Sequence, residues 1–195
     1  MARKRSLQSL INEYGRDPEK VIVELGYGLE PIYCRNNTIA ACTMMMNNTH
    51  PVINVNERFF ADRSRFYNDE AADISRKAAL AHEFAHAHTQ QPALRQRGMI
   101  FDGEKHYVEH TLERAANIYA ARFLIDLDEL QESLLKGYSF RQIAKSLKVP
   151  VGFAVLRLED LKQAKPELRI GRLPRVRDDF MACLQMADES DDLYE

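Results

Sequence analysis

Apolar residues recur at helical spacing over most of the chain and at strand spacing in one short region. Every third or fourth position is apolar in seven stretches, two of them long: 7–14, 18–25, 69–89, 104–125, 127–135, 139–147 and 151–161. Three short β-type runs, separated by Asn-rich turns, lie at 32–34, 38–46 and 52–55. The pattern predicts an α+β fold, with a small antiparallel sheet of about three strands packed on a pair of long helices and further helices at the C-terminal end.

The last third of the chain divides by charge. Residues 139–149 have the look of half a helix-turn-helix, so we predict a core over 1–135 and a helical, helix-turn-helix-like annex over 136–177. Residues 139–177 hold ten Lys/Arg against three Asp/Glu, whereas 178–195 hold seven acidic residues and neither Lys nor Arg. The basic annex allows a weak DNA contact, but we favour a solvated face that is partly neutralised by the acidic segment.

Bulk composition narrows the class of protein. The 195 residues are 45% hydrophobic and 29% charged, with a net charge of -2, which fits a globular chain and excludes a globally basic nucleic-acid binder. Cys34, Cys42 and Cys183 form neither a disulfide framework nor a CxxC metal site. No signal-peptide h-region follows Arg3, and no apolar run has the length of a membrane span, so we expect a soluble cytoplasmic protein.

The most informative string is His82-Glu83-Phe84-Ala85-His86, which lies within the first long helix. Residues four apart share a helix face, so the imidazoles of His82 and His86 can bind one Zn²⁺, while Glu83 can act as base toward its water. The alternative is a solvated helix face, but the Ala-rich surroundings predict burial. Buried imidazoles and a buried carboxylate need partners, so we predict a zinc metallopeptidase with one catalytic ion.

A catalytic zinc site needs a third protein ligand and an open fourth position. The second long helix offers four candidates: His106, Glu109, His110 and Glu113. We favour Glu113 as the third ligand. We also predict that Asn117, one turn further along the helix, orients a metal ligand by a hydrogen bond without binding the metal itself.

Other features near the motif allow two interpretations each. His110 or Tyr107 is a candidate donor to the oxyanion, although a polar helix edge is the commoner explanation for His106 and His110. His88 is assigned to a solvated helix end. The Met44-Met45-Met46 run is assigned to the core of a strand rather than to a soft binding surface.

Three segments of the chain resemble the ImmA/IrrE family of bacterial and phage metallopeptidases. They are the helical segments 76–86 and 113–124, which match L-A-H-E-x-x-H and E-x-x-A-N-x-F-A-x-x-L-L patterns, and the strand 52–56. The resemblance implies a zincin-like pair of helices in which His82, His86 and Glu113 bind zinc and Glu83 is the catalytic acid/base. Three positions, Ala85, Ala115 and Tyr119, depart from the commonest family residues, but none removes a ligand or the base.

The same resemblance implies a substrate. Members cleave helix-turn-helix (Xre-type) transcriptional repressors and thereby release genes of a mobile element, prophage or stress response. The annex would then hold the repressor, and an exposed edge strand near 38–46 would pair with an extended substrate segment.

A function of another class competes with this one. The basic segment 139–177 is also compatible with a DNA-binding or regulatory interaction protein whose zinc site is structural or vestigial. A structural zinc site is usually closed by a fourth protein ligand, for which His106 and His110 are the nearest sources.

Overall fold

A computed structural model describes residues 5–33, 39–46, 50–62, 64–66, 68–90 and 102–176, and of 102–110 the backbone alone. The elements in chain order are α1 (Leu7–Tyr14), α2 (Pro18–Glu24), β1 (Gly28–Ile32), β2 (Ala41–Met46), β3 (His50–Asn56), α3 (Glu57–Phe60), α4 (Asp69–Thr89), α5 (Asp102–Leu124), α6 (Leu127–Leu135), α7 (Phe140–Leu147) and α8 (Val151–Ala164). The predicted α+β class is confirmed. Among these helices, none has the length and apolar character to cross a membrane.

The sheet is mixed rather than wholly antiparallel. Its order is β1-β3-β2, with β2 antiparallel to β3 as predicted and β1 parallel to β3. The chain reverses between β1 and β2 and again between β2 and β3, so β1 and β3 run in the same direction. The pattern also placed the first strand too late, because it predicted a β-type run at 32–34 whereas β1 spans Gly28–Ile32. A Cβ at Gly28 would lie 2.8 Å from Cγ2 of Val52, so glycine permits this close strand pairing.

Helix α4 begins and ends where the pattern predicts and lies at the centre of the molecule. Its first turn is capped by Asn68, whose side chain accepts a hydrogen bond from the Ala71 amide at 2.8 Å. Every residue from 78 to 88 is buried, because α4 packs against the sheet, α2 and α5. Ala116, Ala120 and Ala121 on α5 are buried too, and these small side chains let the two long helices approach closely.

Helices α7 and α8 form a short helix-turn-helix that packs onto the rest of the structure. Ser139 and Gln142 make a capping box at the start of α7, and Lys148 turns the chain with a φ of 52°. Residues 151–156, at the N-terminal end of α8, are buried, and α8 packs on α5. Residues of both helices belong to the same hydrophobic cluster as the core of α4. The acidic segment 178–195 lies outside the described residues.

Candidate metal centre

Two helices bring three potential metal ligands together. Nε2 of His82 lies 3.1 Å from Oε2 of Glu113, and Nε2 of His86 lies 3.3 Å from Oε1 of the same carboxylate. The two Nε2 atoms are 3.0 Å apart, and one donor atom from each of the three residues falls within a 4.8 Å group. The imidazoles are almost fully buried, and Glu113 is partly exposed. The structure therefore places the three predicted ligands around one point.

Side-chain amide oxygens accept hydrogen bonds from the Nδ1 atoms of both imidazoles, on the side of each ring away from Glu113. Nδ1 of His82 donates to Oδ1 of Asn117 at 2.9 Å, and Nδ1 of His86 donates to Oε1 of Gln90 at 2.6 Å. The amide nitrogen of Gln90 donates to the Leu112 carbonyl at 2.9 Å, which fixes which end of the amide faces His86. Asn117 thus lies where the sequence placed it. Gln90 was not predicted, although its position one turn beyond His86 was a usable signal.

This hydrogen bonding makes the centre suitable for a cation. With a proton on each Nδ1, both Nε2 atoms present lone pairs toward each other and toward the Glu113 carboxylate. Three acceptors at such distances repel one another unless a positive charge lies between them. Two histidines and one glutamate, each His oriented by an outer hydrogen bond, are a donor set that Zn²⁺ takes in catalytic sites.

The pKa values at the centre also show that it favours positive charge. Burial opposes ionisation of Glu113. When Nε2 of His82 or His86 carries a proton, however, it donates to this carboxylate, and these hydrogen bonds outweigh burial and hold the pKa of Glu113 far below its ordinary value. Burial likewise opposes the imidazolium form of His86, but Glu113 and the Glu83 charge outweigh it and raise the pKa of His86. A proton or a metal ion can supply this charge, so metal binding will release protons.

Glu83 lies beside the three candidate ligands, and a residue of the sheet contacts its side chain. Glu83 is 8% exposed, and the Thr43 hydroxyl lies 2.7 Å from its Oε2 and 3.0 Å from its backbone carbonyl oxygen. Thr43 belongs to β2 and is itself buried. Sequence reasoning missed Thr43, because nothing in a short β-type run tells which of its residues will face α4.

The predicted oxyanion donors, Tyr107 and His110, have their backbone in α5, but their side chains lie outside the described residues, as do those of His106 and Glu109. Among the side chains that are described, His82, His86 and Glu113 are the one set of His, Cys, Asp or Glu residues with metal-binding spacing. A fourth protein ligand is not found in that part of the chain.

Two predictions about neighbouring residues are wrong. His88 is buried, not solvated, because Tyr27 and the backbone of Arg5 contact its ring. Its Nε2 donates to the Arg5 carbonyl at 3.1 Å, and its Nδ1 accepts from the Tyr27 hydroxyl at 3.2 Å. Met44 and Met46 are 57% and 53% exposed, since alternation along β2 turns them away from the face that Thr43 presents to α4.

Tyr119 departs from the phenylalanine usual at its position, and its hydroxyl has no compensating bond in the described structure. The oxygen is buried and finds no hydrogen-bond partner among the described residues. Burial raises the pKa of the phenol, so Tyr119 stays neutral and serves as an aromatic packing group against Phe84.

A His-His-Glu centre on two packed helices, with a buried glutamate directly after the first histidine, is the arrangement of a metallopeptidase. Residues 40–159 match the model of the Peptidase_M78 family, described as the IrrE N-terminal-like domain, and the chain belongs to this family. No curated protein and no solved structure matches the chain. The matched region runs from the start of β2 into α8 and contains every residue of the centre, and it confirms the ImmA/IrrE resemblance.

Proposed function

We propose that this chain is a zinc-dependent endopeptidase that cleaves a helix-turn-helix transcriptional repressor of the Xre type in the cytoplasm and so relieves repression. The observation that carries the proposal is the convergence of His82, His86 and Glu113 within 4.8 Å, with buried Glu83 beside them. The repressor as substrate is supported by membership of the IrrE-like family and by the resemblance of the motifs to ImmA/IrrE peptidases.

His82, His86 and Glu113 would hold the zinc ion, and Asn117 and Gln90 would keep the two imidazoles in their ligating orientation. When bound, zinc would supply Lewis acidity and make the attacking water more acidic. Glu83 would accept a proton from the attacking water and deliver it to the leaving amine. Its burial keeps bulk water away from this proton transfer.

The sheet offers a place for the substrate backbone. β2 is an outer strand of the described sheet, and its Thr43 contacts Glu83, so an extended peptide added beside β2 would pass close to the base. The exposed side chains of Met44 and Met46 would favour apolar substrate residues at alternate positions. A repressor would present such a segment in an extended loop or a locally unfolded helix.

Co-expression of the chain with candidate helix-turn-helix repressors tests the proposal. Wild type should give a cut repressor, and chelator treatment of the purified pair should stop cleavage. Glu83→Gln should abolish the cut product while zinc binding persists, because the amide cannot accept the proton.

The matched control is Glu70→Gln, the same change on the exposed first turn of the same helix, which should cleave as wild type does. Cleavage by Glu83→Gln at the wild-type rate would show that Glu83 is not the base.

The described structure does not favour DNA binding as a second function. The N-terminal part of α8, which would have to enter a groove, is buried and apolar, and Arg157 is bonded to Asp160.

A further inference from the structure

The hydroxyl of Thr43 connects the sheet to the proposed base, and we propose that Thr43 is a positioning residue for Glu83. The inference rests on the proposed peptidase function and adds to it a residue outside the metal-binding helices. Thr43 would fix which oxygen of the Glu83 carboxylate is available to the reacting water. It would also make the position of the base depend on the strand beside which the substrate lies.

The contacts are short and enclosed. The Thr43 hydroxyl lies 2.7 Å from Oε2 of Glu83, within the range of charge-assisted hydrogen bonds, and 3.0 Å from the Glu83 backbone oxygen. Its single proton is shared between these acceptors, with the shorter contact to the carboxylate. Thr43 and Glu83 are 6% and 8% exposed, so little water competes for the bond.

The hydrogen bond from Thr43 gives the two oxygens of the Glu83 carboxylate different roles. Oε2 accepts the hydrogen bond from Thr43, which would leave Oε1 to receive the proton from water. A carboxylate held at one oxygen cannot rotate freely about its last side-chain bond, so the basic lone pair stays directed. Small misplacements of a reacting group cost large factors in rate, which makes such a restraint valuable.

Threonine suits this role better than serine in one respect. Its branched Cβ limits rotation about χ1, and β-branched residues fit strands, so the hydroxyl is already directed when β2 pairs with β3. Thr43 pairs with Ile53, a fully buried residue of the central strand. This pairing fixes the position of Thr43 relative to α4. Serine keeps the donor but loses part of this restraint.

The test compares Thr43→Val, which keeps the shape and removes the donor, with Thr43→Ser, which keeps the donor. For the zinc-loaded protein and a cleavable repressor, we expect Val to lower kcat about tenfold or more with KM within about threefold of wild type. Ser should retain kcat within about threefold. Zinc stoichiometry and the thermal midpoint are measured on the same preparations, and if Thr43→Val fails to bind zinc, Thr43→Ala replaces it.

Thr89→Val is the matched control. It also removes a hydroxyl that donates to a backbone carbonyl of α4, that of Ala85 at 2.6 Å, but it touches no group of the centre, so kcat should not change. The inference is overturned if a zinc-binding Thr43→Val has wild-type kcat, if Ser is as slow as Val, or if only KM changes. These results are distinct from failure of the proposed function, in which wild type cuts nothing or Glu83→Gln cuts as well as wild type.

Discussion

Replacing Gln90 by methionine should weaken zinc binding without removing a ligand. The Gln90 amide is buried, accepts from Nδ1 of His86 at 2.6 Å and donates to the Leu112 carbonyl on α5 at 2.9 Å. Methionine has nearly the same length and volume, so packing is preserved while both bonds are lost. The change thus isolates the effect of orienting one imidazole.

The expected magnitude has two parts. Loss of an outer hydrogen bond to a ligating histidine typically weakens metal affinity about 10–100-fold, or about 1.4–2.8 kcal/mol. The 2.6 Å contact is short and shielded from water, which favours the upper part of this range. In the metal-free protein, a buried ring N–H left without an acceptor should lower the free energy of unfolding by about 1–3 kcal/mol.

The assay is zinc competition against a chromogenic chelator, with urea unfolding of the metal-free protein in parallel. Gln8→Met is the control, because Gln8 also makes an amide hydrogen bond, to Asn12 at 2.8 Å, on an exposed face of α1. The reasoning is refuted if Gln90→Met binds zinc within about twofold of wild type while its metal-free form is measurably destabilised. Orientation of His86 would then not contribute to affinity.

Two further predictions concern groups away from the metal. Burial alone would raise the pKa of Asp160, but Arg122 and Arg157 outweigh it and lower that pKa. The ionised side chain of Asp160 therefore contributes its full stabilisation above the unfolded-state pKa of about 3.9. This stabilisation is lost as the pH falls through the lower pKa of the folded state. Asp160→Asn should cost about 1.5–3 kcal/mol at pH 7 in urea unfolding, and a difference that does not shrink below about pH 4 would contradict this. Tyr119→Phe removes a buried hydroxyl that has no partner among the described residues, so the thermal midpoint should stay or rise; a clear fall would reveal a hidden hydrogen bond.

Much of the candidate metal centre was predictable because helical periodicity determines which of its residues share a helix face. His82 and His86 are one turn apart on a helix whose limits the pattern predicted, and Glu113 and Asn117 repeat that spacing on the next long helix. Two amphipathic helices with small facing residues pack closely, so their polar positions meet. No knowledge of the sheet is needed for this step.

The remaining features depend on which element lies next to which, and local sequence does not encode that. Thr43 matters because β2 lies over Glu83, and His88 is buried because Tyr27 and the backbone of Arg5 reach its ring. The parallel direction of β1 likewise follows from the path of the chain around β2, since strand propensity is the same for either direction.

The order of strands in the sheet has a consequence for biosynthesis. β3 is the central strand of the described sheet but is translated last of the three, so β1 and β2 leave the ribosome before the strand that pairs with both. At usual elongation rates the interval between Met46 and Asn56 lasts roughly 0.5–2 s, far longer than the microseconds in which a hairpin closes. During that interval the methionine-rich strand lacks the central strand with which it pairs in the folded protein, so its backbone hydrogen-bonding groups stay open to other partners until β3 has emerged.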